Sequence, residues 1–146
     1  MSTKDVQSGL VSNMRKWQKI EDASVVSTGQ MIEKTENPLL RLVMEIIQRD
    51  SQMHYRVQEF IADSIEHKAV SLTPNELAAI WGMIENHITL EKKTVEIAEQ
   101  TIASLKGQQG MIVQNYLLNY LLEDERKHND LLKNLEDIKK GIYRSV

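Results

Sequence analysis

The chain of 146 residues contains no cysteine. That excludes a disulfide scaffold, thiol catalysis and any cysteine-ligated zinc or iron–sulfur centre. Proline is almost as scarce, with two residues in the whole chain, so long uninterrupted helices are permitted. Charge of one sign is also lacking: 18 Lys and Arg face 21 Asp and Glu, a net charge of −3. Such a balance leaves no basic footprint for nucleic acid and no polybasic anchor for a membrane surface. No apolar run approaches the length of a membrane span, and the first residues lack the apolar stretch of a signal peptide. The expectation is a cytoplasmic protein without nucleic-acid or membrane partners. Hydrophobic residues at 41% and charged residues at 27% are ordinary for one globular domain.

Both prolines mark helix starts. Asn37 before Pro38 places a capping residue ahead of proline at the first helical position. Thr73 before Pro74 does the same, and Glu76 completes a capping box. Lys106-Gly107 reads as a helix end, and Gly110 closes a short polar turn. These marks predict four helices, over about 3–35, 38–68, 74–106 and 110–142, with no strand signal between them. Gly29 and Gly82 fall inside predicted helices, where neighbouring helices would approach closely. The predicted architecture over residues 1–146 is a single all-α four-helix bundle.

Residues at spacings of three and four give each helix an expected core stripe. The first reads Val6, Leu10, Met14, Trp17, Glu21, Val25, Thr28, Ile32. The second reads Leu39, Val43, Ile47, Asp50, His54, Val57, Ile61, Ile65. The third runs from Leu77 through Ile80, Ile84, His87 and Glu91 to Leu105. The fourth runs from Met111 through Leu118, Leu121, Glu125, His128 and Leu132 to Ile142. Each stripe is apolar on both sides of one acidic or histidine-containing interruption.

In an antiparallel pair, residues equally far from the turn lie at one level. Glu91 and Glu125 each lie 15 residues from the turn residues Lys106 and Gly110, and the other interruptions fall at comparable depths. Glu21, Asp50, His54, His87, Glu91, Glu125 and His128 are therefore expected in one central layer. Four carboxylates in an apolar interior need protons or a cation, and no Lys or Arg lies on a stripe at that level. Carboxylate with imidazole suits iron, manganese or zinc. A buried polar layer that fixes helix register remains the alternative.

The run Leu122-Glu123-Asp124-Glu125-Arg126-Lys127-His128 holds Glu-x-x-His inside a helical acidic stretch, one helix after Glu91. It resembles the second metal motif of ferritin-like, rubrerythrin-type proteins, and Glu21 with the segment Ile46 to His54 resembles the first more weakly. The resemblance spans roughly residues 14–140. It implies two divalent metal ions, iron above all with manganese or zinc as alternatives, held by Glu21, Glu91, Glu125, His128 and His54. It further implies oxidation of ferrous iron, or reduction of peroxide or dioxygen with an external electron donor, in a homo-oligomer such as a dimer. Ser51 stands where the family has a bridging Glu, while Asp50 is shorter and about 100° displaced. His87, one turn before Glu91, offers a compensating ligand. Residues 69–73 extend at most about 17 Å, an unusually short connection between the second and third helices for a ferritin-like bundle. The alternative from another class is a non-catalytic helical scaffold with a degenerate or zinc-only site.

Overall fold

The computed structural model describes residues 1–140. Four helices account for nearly all of them: α1 Thr3–Lys34, α2 Pro38–Glu66, α3 Pro74–Ser104 and α4 Ile112–Lys139. There is no strand among the described residues. None of these helices is long and apolar enough to cross a membrane.

The helix ends follow the local chemistry. The Asn37 side chain accepts hydrogen bonds from the Leu39 and Leu40 amides, 3.0 and 3.2 Å away. Thr73 and Glu76 form the expected reciprocal box. A second box, between Ser2 and Asp5, starts α1. Gly107 and Gly110 have φ of 76° and 81°, a left-handed backbone that glycine adopts without strain. The polar turn is longer than expected: α3 stops at Ser104, and α4 starts at Ile112 rather than near 110. The expected continuation of α4 to 142, including Ile142, lies outside the described residues.

The chain divides between Val70 and Ser71 into two compact units, each a helical hairpin. In the first, contacts run antiparallel: Arg15 meets Glu66, Glu21 meets Gln58, Ser24 meets Ser51, and Gln48 reaches the Val25 carbonyl. In the second, Glu91 lies near His128, Thr94 meets Glu125, and Trp81 lies under the Lys139 ammonium at 4.6 Å.

The buried seam of the first hairpin keeps the expected Met14, Glu21 and Thr28 on α1 but departs from the expected stripe on α2. On α1 the buried residues are Met14, Gln18, Glu21 and Thr28, and on α2 they are Ser51, Gln58 and Ala62. Trp17, Ile47 and Val57, expected in the core, are 52%, 41% and 50% exposed. On α2 the seam therefore runs one residue to the side of the apolar series. The physical reason is the size and hydrogen bonding of the seam residues. Serine and alanine let the helices approach closely, and each buried polar side chain finds a partner across the seam or on its own helix. Gln18 donates to Glu59 and to the Tyr55 carbonyl, and Thr28 donates to the Ser24 carbonyl. A Cβ on Gly29 would meet the Gln48 amide at 3.4 Å, which is the close approach expected there. The same expectation fails at Gly82, where a Cβ would meet nothing within 4 Å.

In the second hairpin, Leu77, Trp81, Glu91 and Ala98 of α3 are buried, as is Leu122 of α4. Ile80 and Leu121, expected in the core, are about half exposed. Trp81 is buried at the seam in place of Ile80, and its indole N–H donates to Glu85 Oε1, 2.7 Å away.

Candidate metal centre

Two turns of α3 and α4 bring three expected ligands together. Glu91 on α3, with Glu125 and His128 on α4, presents ligand atoms that all lie within 4.8 Å of one another. Glu125 and His128 share a face because they are three residues apart on one helix. Glu91 faces them from the opposite helix and is 8% exposed. His128 Nδ1 lies 3.7 Å from Glu91 Oε1 and 3.7 Å from Glu125 Oε2. Both separations are too long for a hydrogen bond.

Four further side chains surround this group. Asp124 Oδ2 lies 3.4 Å from His128 Nε2, on the side of the ring away from the Nδ1 that faces the carboxylates. Lys127 in turn holds Asp124, with Nζ 2.8 Å from Oδ1. Thr94 Oγ1, 3.0 Å from Glu125 Oε2, donates to that carboxylate. His87 Nε2 lies 2.9 Å from Glu91 Oε1, so His87 contacts a member of the group from a largely solvated position.

Electrostatics mark the pair of carboxyls. Hydrogen bonding to Glu91, followed by burial, raises the Glu125 carboxyl above its ordinary value. The same hydrogen bond lowers Glu91, with His87 adding to the effect. Two carboxyls at close range oppose each other's ionisation, and Glu125 takes the upward shift. Glu91 Oε2 is buried and has no hydrogen-bond partner. An orphaned carboxylate oxygen beside a second carboxyl and an imidazole lone pair is a donor set that fits a divalent cation.

The first hairpin arranges its expected ligands differently. Glu21 is buried, with His54 Nδ1 3.2 Å from its Oε2. The same oxygen accepts a hydrogen bond from Gln58 Nε2 at 3.0 Å. Asp50 is half-buried and stands one residue to the side of the seam. The seam position is Ser51, whose hydroxyl lies 2.8 Å from that of Ser24. The expected pairing of Asp50 with His54 on the core face is corrected accordingly: α2 turns Ser51 and Gln58 inward instead. His54 itself is largely exposed beyond its contact with Glu21.

Sequence reading missed Gln58, Ser24, Thr94 and the part played by Asp124. Gln58 carried one usable signal, since it lies one turn beyond His54 and seven residues beyond Ser51, the spacing of one helix face. No protein-family model, curated protein or solved structure matches the chain.

Proposed function

We propose that this chain is a ferritin-like metal-binding protein whose divalent ion is held in the second hairpin by Glu91, Glu125 and His128. The observation that carries the reading is the buried, partnerless Glu91 Oε2 within a group whose ligand atoms lie within 4.8 Å of one another. A cation would satisfy the orphaned oxygen and compensate the two neighbouring carboxyls. Two carboxylate oxygens and one imidazole nitrogen suit iron, manganese or zinc. Asp124 would fix the His128 ring, and Thr94 and His87 would orient the two carboxylates, the supporting contacts that metal sites need.

If the ion is iron, it would supply one-electron chemistry, and the resemblance implies oxidation of ferrous iron or reduction of peroxide or dioxygen with an external donor. The protein's own part is to orient the ligands and to keep one face of the group covered by α3 and α4. Metal analysis of the purified chain, followed by titration with ferrous iron under air, tests this. Stoichiometric metal that disappears in Glu125→Gln, with oxidation of added ferrous iron, supports the reading. Metal-free protein whose melting is unchanged by iron, manganese or zinc overturns it and leaves a helical scaffold.

A further inference from the structure

The two hairpins place corresponding residues in the same register. Glu21 and Glu91 stand equally far from the last residues of their helices, Lys34 and Ser104. Ser51 and Glu125 stand equally far from the first residues of theirs, Pro38 and Ile112. On this register Ser24 matches Thr94, His54 matches His128, and Gln58 matches Leu132. The contacts match as well. Ser24 meets Ser51 at 2.8 Å where Thr94 meets Glu125 at 3.0 Å. His54 Nδ1 lies 3.2 Å from Glu21 where His128 Nδ1 lies 3.7 Å from Glu91.

Several differences remain, among them Trp17 where the second hairpin has His87, and two of them act together. The carboxylate at the Glu125 position is a serine in the first hairpin, so only Glu21 and His54 are left as ligands. The leucine at the Leu132 position is Gln58, whose amide N–H donates to Glu21. Gln58 is 3% exposed, and its own Oε1 is buried without a partner. Turning the amide over would place that oxygen against the Glu21 carboxylate, oxygen facing oxygen. The amide therefore keeps its donor on Glu21 even though its acceptor goes unsatisfied, and the Glu21 charge enforces that orientation. Glu91 has no amide donor from α4: His87 contacts its Oε1, and its Oε2 has no partner.

We infer that Gln58 closes the first hairpin to metal, so that the chain takes one divalent ion where the ferritin-like resemblance implies two. The amide N–H occupies on Glu21 a carboxylate oxygen that a second ion would need. Gln58 and Ser51 are then the residues that set the metal count. The count of one rests on the metal reading of the second hairpin; the closure of the first does not.

The test is equilibrium dialysis of the full chain against Mn(II) and, separately, Zn(II), with bound metal counted by elemental analysis and helicity followed by circular dichroism. One ion per chain is expected in the wild type, one in Glu21→Gln and none in Glu125→Gln. The exchange Ser51→Glu with Gln58→Leu is expected to raise the count to two, and Leu132→Gln to weaken the single site at least tenfold. A wild-type count of two that falls to one in Glu21→Gln overturns the inference. So does a helical Ser51→Glu/Gln58→Leu chain that still takes one ion. Should that double variant fail to fold, unaltered affinity in a helical Leu132→Gln chain overturns it instead.

A wild-type count of zero overturns the metal reading of the second hairpin, and melting of the metal-free protein then decides the closure. Gln58→Leu strands the Glu21 carboxylate and is expected to lower the melting temperature by roughly 5 °C. Glu21→Leu together with Gln58→Leu is expected to restore most of that loss. An unchanged melting temperature in Gln58→Leu overturns the closure.

Discussion

The Ser24 and Ser51 hydroxyls lie 2.8 Å apart across the first hairpin, in the register that Thr94 and Glu125 occupy in the second. Ser51 is 5% exposed and Ser24 half-buried, so the pair is a part-buried hydrogen bond between two small side chains. Removing one partner leaves the other hydroxyl short of a bond, at a cost of about 1–2 kcal/mol. Ser51→Ala alone should therefore lower stability in urea by about that amount. Ser24→Ala with Ser51→Ala should lower it by less than the single change, because no polar group is then stranded. A double-mutant cycle that gives no coupling between the two positions would show that the contact contributes nothing.

Asp124 should control ion affinity without touching the ion. Its carboxylate faces His128 Nε2 at 3.4 Å, and replacing it by asparagine keeps the size but removes the charge that holds the ring. Metal sites typically lose about 10–100-fold in affinity when such a support is removed. Asp124→Asn is expected in that range by Mn(II) calorimetry, with helicity unchanged. Glu125→Gln, which removes a ligand outright, should lose more. Equal affinity in Asp124→Asn and wild type would mean that the His128 ring is held by packing alone.

The sequence made the helix boundaries legible wherever a side chain itself closes the helix. Asn37 and Thr73 announce their helices by residue type and spacing, and Gly107 and Gly110 announce the turn because only glycine takes a left-handed backbone there at no cost. The seam was less legible. Periodicity finds the apolar series containing Trp17, Ile47 and Val57, but burial within the hairpin falls on Gln18, Ser51 and Gln58, one residue around the helix. A polar residue enters a seam only when its partner across the gap is in place, and single-helix patterns do not carry that pairing. The second hairpin's group was readable because Glu-x-x-His encodes its geometry within one helix turn. The first hairpin's was not, because the choice between Asp50 and Ser51 depends on how far α2 rotates. Gln58 escaped notice because it is recognisable only through Glu21.

The raised Glu125 carboxyl gives the second hairpin a pH dependence of definite sign. The Glu125 carboxyl has an ordinary value of 4.5 and is raised in the folded chain, chiefly by its hydrogen bond to Glu91. A raised carboxyl contributes stability that is fully present below the unfolded value and lost as pH rises through the folded one. Metal-free wild type should therefore lose melting temperature relative to Glu125→Gln as pH climbs from about 4.5 through the raised titration. Bound ion reverses the trend, since the cation displaces the proton and binds more tightly as pH rises. Matched titrations of melting temperature with and without Mn(II) check both signs. Parallel curves for the two proteins across that range would mean that Glu91 does not raise the Glu125 carboxyl.

The end of the first hairpin farthest from its turn carries the opposite pH dependence. Glu59 is held below its ordinary value, first by the hydrogen bond from Gln18 and then by Arg15. A lowered carboxyl contributes stability above its unfolded value that disappears as pH falls through the folded one. Arg15 bridges Glu59 and Glu66, but all three side chains are substantially exposed, and exposed ion pairs contribute little to stability. Gln18 is 5% exposed and donates both to Glu59 and to the Tyr55 carbonyl, so its loss removes two part-buried hydrogen bonds. Gln18→Ala should therefore cost about 1–3 kcal/mol, and Arg15→Ala less. Salt separates the two further: 1 M sodium chloride should erase most of the Arg15 effect, because screening acts on exposed charge, and should leave the Gln18 effect nearly intact. Denaturation in urea at both salt concentrations provides the measurement, and an Arg15→Ala loss exceeding that of Gln18→Ala at high salt would place the lock in the ion pairs instead of the buried amide.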